Sequence, residues 1–233
     1  MHHGPYGSTG HVCRAALLIA EHHPDLIALL GDYGRSHRWA PRLSRWAYTR
    51  TFASLGACLR ELHAPDGVVA VLGNHDHLVS ADDVARWLTQ QGIHVLVNDH
   101  ILIRRANAFL AVGGVDDAER GTVDPAGGCA TVDATVPRIV LSHNPDGVLM
   151  LAPEARADVV LSGHTHGGQI VLPVVGALVR NCTICGAHYT RGWIPNPRAP
   201  LFVTSGVGAQ IPMRIGTTPE VVLLTLRRGQ QPA

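Results

Sequence analysis

Four short runs in this 233-residue chain set cation-binding side chains in or beside turns. They are Gly31-Asp32, Gly73-Asn74-His75-Asp76, Ser142-His143-Asn144 and Gly163-His164-Thr165-His166-Gly167-Gly168-Gln169. Carboxylate, amide oxygen and imidazole together suit Mn, Fe or Zn, and make no sharper choice among them. Each run follows an apolar stretch: Leu26 to Leu30, Val68 to Leu72, Ile139 to Leu141, and Val159 to Leu161. Short apolar stretches that end in a turn read as buried strands. Four strands that deliver Asp, Asn, His and His-x-His to one sheet edge describe a metal site. Alone, a Gly-Asp or Gly-Asn-His is ordinarily a turn, because Asn and Gly tolerate left-handed backbone. A single His143 is ordinarily a hydrogen-bonded core residue. The four runs in this order are far more specific than any one of them.

In these motifs the chain resembles the calcineurin-like metallophosphoesterases. Within them it is most similar to the branch ending in Gly-His-Thr-His-Gly-Gly-Gln, known for small bacterial membrane- or wall-associated enzymes. The resemblance runs from His2 to Leu226 and implies a two-sheet α/β/β/α sandwich. It also implies hydrolysis of a phosphodiester or phosphomonoester by metal-bound hydroxide at a dinuclear site. By the resemblance, one divalent metal takes Asp32, Asn74, His143 and His164. The other takes Asp32, His166 and the histidine of an N-terminal Asp-x-His motif.

His2 stands in that histidine's place, preceded by Met1, so the motif's Asp and its strand would fall upstream. The expectation is therefore a sandwich lacking its first strand, with a His2/His166 site that is weak or empty. Asn74 and His75 match positions that meet the substrate. His75 matches the group that protonates the leaving oxygen, and Asp76 would orient its imidazole. The incomplete motif keeps a second reading open: a degenerate, non-catalytic metal-binding scaffold of the same fold. A zinc hydrolase of amides is a third reading, weakened by the absence of a His-x-His-x-Asp-His run.

Composition narrows the partners. A length of 233 residues suits one domain over 1–233, and 46% apolar against 16% charged residues suits a globular chain. A formal charge of +1 gives no signature for nucleic acid or an anionic membrane surface. All nineteen basic residues are arginine. Five scattered cysteines argue against a disulfide framework; the close pair Cys182 and Cys185 reads as a local disulfide or two thiols. No apolar run reaches membrane-spanning length, so the chain reads as soluble and cytoplasmic by default. A small phosphoester is the expected partner, and a second copy of the chain could cover exposed sheet edges.

The elements that must position these residues follow from periodicity. A helix from about Ser8 or Thr9 to His22 carries Val12, Ala15, Ala16, Ile19 and Ala20 at helical spacing. A second spans roughly 43–63, and a third 81–91. Short strands are expected at 94–97, 101–104, 109–112, near 170, at 201–204 and at 221–226. The Gly- and Asp-rich stretch 117–137 reads as a loop. Asp116-Asp117 at its start reads as solvated or capping, and the loop after Asp32, beginning with Tyr33, as a border of the substrate site. His77 is a candidate neighbour of the ligands.

Overall fold

Strands that are apolar along their whole length need cover on both faces, and two sheets packed on each other, each with helices outside, supply it. The computed structural model describes residues 9–34, 52–184, 190–196, 198–209 and 213–227; His2, segment 35–51 and Cys185 lie outside them. The chain runs α1 (Thr9–Glu21), β1 (Ile27–Leu29), α2 (described over 52–59), β2 (Val68–Ala70), α3 (Asn74–Val79) and α4 (Ala81–Gln90). There follow β3 (His94–Val95), β4 (Asp99–Arg105), β5 (Ala108–Gly114), β6 (Arg138–Ser142), α5 (Gly147–Met150) and β7 (Val159–Ser162). A 3-10 turn (His166–Gly168) leads to β8 (Val171–Leu172), β9 (Gly176–Ala177), β10 (Gly192–Ile194) and β11 (Leu201–Val203).

One sheet is parallel, in the order β1-β2-β3. The other runs β10-β11-β7-β6-β5-β4, parallel through its centre and antiparallel at both ends. Val69, Val71 and Leu96 of the first sheet side meet Ile103, Val112, Ile139 and Leu141 of the second, forming the layer between them. Val12, Ala16, Leu55, Leu59, Val84 and Leu88 close the first sheet's outer face from three helices. Val148 and Leu151, at α5, pack with Val140, Val160 and Leu201 on the second sheet's outer face. The α/β/β/α layering expected from the resemblance is present.

Strand carboxyl ends from both sheets come to the same edge: β1, β2, β6 and β7 each end at or within three residues of one of the four motifs, and those motifs touch one another. The predicted loop at 117–137 is irregular as expected. Three local readings are corrected. Gly73 to Asp76 is more than a turn: it opens the six-residue α3, whose cap is Gly73. Residues 221–227 form no strand, although their apolar pattern predicts one. A strand requires a pairing neighbour, and Leu223 and Leu226 here stand 59% and 56% exposed. Cys13 and Cys58 form a disulfide between α1 and α2, which their 45-residue separation hides from any spacing rule. Cys182 is also disulfide-bonded, and Cys129 is a buried free thiol. No helix among the described residues is long and apolar enough to cross a membrane.

Candidate metal centre

Asp32 follows β1 in left-handed backbone, with φ of 56°, and His164 and His166 share that conformation at 65° and 53°. Such backbone is uncommon outside glycine and persists where the surroundings over-determine it. At Asp32 the restraint is visible. The buried Asp76 carboxylate accepts the backbone N–H groups of Asp32 (2.8 Å) and Tyr33 (3.0 Å), and also that of Gly73 (2.8 Å). One side chain thus fastens the turn after β1 to the turn after β2. Asp32 returns the tie, accepting the His75 N–H on Oδ1 at 2.9 Å.

The two turns approach too closely for side chains at their glycines. A Cβ at Gly73 would strike Asp32 Oδ1 and come within 2.8 Å of His143 Cε1. One at Gly31 would lie 2.7 Å from His143 Nδ1 and 2.8 Å from the Gly73 nitrogen. The Gly residues that made the motifs recognisable are there for space.

His143 and His164 arrive from β6 and β7, paired through Ser142 and Ser162. His143 Nδ1 donates to the Leu30 carbonyl at 2.5 Å, which turns Nε2 toward Asp32 Oδ2 (3.2 Å) and His164 Nδ1 (3.1 Å). His164 Nε2 likewise donates to the Asn181 carbonyl at 2.9 Å, leaving Nδ1 inward. A carbonyl accepts only, so each carbonyl fixes which ring nitrogen is offered, the usual outer support of a metal-binding imidazole. Ligand atoms of Asp32, His143 and His164 all lie within 4.8 Å of one another.

Electrostatics mark the same trio. Burial pushes the His143 imidazolium down, but the charge and hydrogen bond of Asp32 more than offset it and raise its pKa to about 9. Burial and then the His143 charge lower His164 to about 4. Asn74 completes the chemistry: its Oδ1 is buried with no hydrogen-bond partner, while Nδ2 donates to Glu119 Oε2 at 2.9 Å. A compact carboxylate–imidazole cluster, with an unsatisfied amide oxygen on the residue before His75, whose N–H donates to Asp32, fits a cation of the Mn, Fe or Zn kind.

The other sequence-derived residues are placed as follows. His75 is 9% exposed and sits between Asn74 and Asp76 at the start of α3. His166 lies outside the trio, with Nδ1 donating to the Gly208 carbonyl at 3.2 Å. His2, with the loop residues after Gly34, falls outside the described residues. Tyr33 does not border a substrate: it is fully buried, and its hydroxyl donates to the Val71 carbonyl at 3.0 Å. Burial and the Asp76 charge hold that phenol well above its ordinary pKa.

Sequence reasoning missed three supports. Asp117, read as solvated or capping, does cap the turn, accepting the Glu119 and Arg120 N–H groups, but it is wholly buried, and burial raises its carboxyl pKa. Glu119 contacts Asn74, and no motif points to it. Arg214 donates to the carbonyls of His166 (3.0 Å) and Ser205 (2.7 Å), bracing the His-x-His turn from a distant segment. Only a contact map could have found the last two.

Residues 2–168 match the calcineurin-like phosphoesterase family, and the chain belongs to it. It is 31% identical over 229 residues to phosphodiesterase YaeI of Escherichia coli K12, covering 97% of this chain and 79% of that protein. It is 31% identical over 207 residues to the metallophosphoesterase YkoQ of Bacillus subtilis 168, covering 84% and 70%. Among solved structures, the Thermus thermophilus sulfate thiohydrolase SoxB superposes with a TM-score of 0.52 at 17% identity. That likeness covers 86% of this chain and 38% of SoxB, and it bears on the fold alone. The protein is a metal-dependent phosphoric ester hydrolase, and divalent cations are its cofactors.

Proposed function

We propose that the protein hydrolyses a phosphodiester, with Asp32, Asn74, His143 and His164 holding one divalent cation. Asp32, His166 and His2 are the candidate ligands of a second. The observation that carries the first assignment is the cluster of Asp32, His143 and His164 ligand atoms, all within 4.8 Å of one another, with the buried, unsatisfied Asn74 Oδ1 on the residue before His75, whose N–H donates to Asp32. Identity to a phosphodiesterase over most of both chains supports the diester over the monoester. Bound cations of this kind supply charge for the phosphoryl oxygens and a nucleophile at neutral pH.

The chain's own residues do the rest. Asn74 and His75 meet the phosphoryl group, and His75 gives the departing oxygen its proton. Asp76 keeps His75 in place through the turns it fastens and through its position one residue away. The imidazole-rich donor set favours Mn, Fe or Zn over Mg.

Hydrolysis of bis-p-nitrophenyl phosphate and p-nitrophenyl phosphate, after EDTA treatment and with Mn, Zn or Mg restored separately, tests this reading. The diester should be preferred, with Mn or Zn restoring activity best. Preference for the monoester would overturn the substrate assignment, and activity indifferent to EDTA would overturn the metal assignment. Metal analysis after Mn or Zn is added should find two ions per chain. A single ion at saturation would overturn the second site.

A further inference from the structure

The loop after β5 carries Asp116, Asp117 and Glu119, three carboxylates that the proposed chemistry does not use. It clamps α3 at two points one helical turn apart. Asp116 Oδ1 accepts the His77 ring nitrogen at 2.8 Å, and Glu119 Oε2 accepts Asn74 Nδ2 at 2.9 Å. The loop's own shape is fixed from within. Asp117 Oδ1 accepts the backbone N–H groups of Glu119 (3.1 Å) and Arg120 (2.9 Å), and the Gly121 N–H donates to the Asp117 carbonyl at 2.8 Å. Asp116 Oδ2 takes the Thr122 N–H at 2.9 Å. Glu119 is thereby delivered to Asn74 by a built turn, although its side chain is 45% exposed and its other oxygen lies 3.5 Å from Arg120.

An asparagine amide has two nearly isosteric ends of opposite character, and only the oxygen can donate electrons to a cation. Buried packing alone does not choose between them. A carboxylate does, because it accepts hydrogen bonds and cannot donate one. With Nδ2 committed to Glu119, Oδ1 must face the other way, where it is buried without a hydrogen-bond partner.

We propose that Glu119 is a positioning residue that sets the Asn74 amide so that Oδ1 is the atom offered to the metal. The Asp117 turn and the Asp116–His77 contact hold Glu119 against α3. This rests on the reading of Asn74 as a ligand given above. Outer partners of metal ligands typically contribute about 10–100-fold in metal affinity.

Isothermal titration of the metal-free protein with Mn tests the inference, using E119A, E119Q and E119D beside the wild type. E119A should weaken Mn binding about 10–100-fold. E119Q keeps the reach, but its amide can donate as well as accept, so it no longer forces the Asn74 orientation and should restore only part of the loss. E119D keeps the charge but is one methylene short, so it should bind about as weakly as E119A. The metal-free melting temperatures should agree, since Glu119 is a partly exposed side chain, and this separates a binding defect from a folding one. Wild-type affinity in E119A overturns the positioning role while leaving the metal site intact. Wild-type affinity in E119D would show that contact with Asn74 is not needed and also overturns it. A wild type that binds neither Mn nor Zn overturns the metal reading itself, and this inference with it.

Discussion

Asp76 holds Asp32 by its backbone: the Asp32 N–H lies 2.8 Å from Asp76 Oδ2, the same oxygen that takes the Gly73 N–H at 2.8 Å. Asp32 sits at a φ of 56°, so the bond secures a backbone geometry that costs energy on its own. Asp76→Asn offers only one acceptor oxygen to three buried N–H donors. It should lower the unfolding free energy by about 3 kcal/mol, measured by urea denaturation, because at least one donor is left unpaired. Mn affinity should fall with it, as the Asp32 turn loosens. Unchanged stability would mean that the carboxylate is a bystander.

Gly73→Ala should cost metal binding far more than a surface glycine substitution does. The φ of Gly73 is −111°, so alanine meets no backbone strain there. The obstacle is space, since the new methyl group would collide with Asp32 Oδ1 and crowd His143 Cε1 at 2.8 Å. Titration with Mn reads the result. Retained affinity would show that the two turns can separate without loss.

His75→Ala should lower kcat by about 10²–10⁴-fold on a diester with a poor leaving group, with Mn binding little changed. With p-nitrophenolate, a good leaving group, the loss should shrink. Equal losses on both substrates would remove His75 from proton donation.

In the metal-free protein the two imidazoles pull stability in opposite directions. His164 is lowered from 6.5 to about 4, so in that interval the unfolded chain binds a proton that the fold refuses, and stability rises with pH. His143 is raised from 6.5 to about 9; its contribution is complete below 6.5 and lost as pH climbs through about 9. The melting temperature in EDTA should therefore peak near pH 6.5. Bound Mn should abolish the alkaline decline, because the cation takes the place of the proton on His143. A metal-free melting temperature still rising from pH 7 to 9 would contradict the assignment.

Replacing Cys13 and Cys58 together by serine should destabilise the fold by up to about 4 kcal/mol, the loop-closure value for a 45-residue separation. Their Cα atoms stand 4.8 Å apart, tying α1 to α2 over the first sheet. Thermal or urea unfolding of the double variant measures it, and a change near zero would show that helix packing alone holds the pair.

The ligand types, their order and the strands that carry them were legible in the sequence, because each is a local pattern. An apolar run needs a buried strand, and a Gly-bracketed Asp, Asn or His at its end needs a turn. Asp32, Asn74, His143 and His164 could be named as candidate ligands from that pattern together with the family resemblance. Tertiary structure decided what surrounds them, because those partners are distant in sequence and no motif, not even the one that holds Asp76, says what its members reach. Asp76 reaches back 44 residues to Asp32, Glu119 reaches 45 to Asn74, and Leu30 meets His143 across 113. The same distinction explains the failures. The nearly continuous apolar run at 221–226 promises a strand, yet a strand exists only where another strand offers its backbone. The chain by itself determined which atoms could bind a metal; the packing of two sheets decided which way those atoms face.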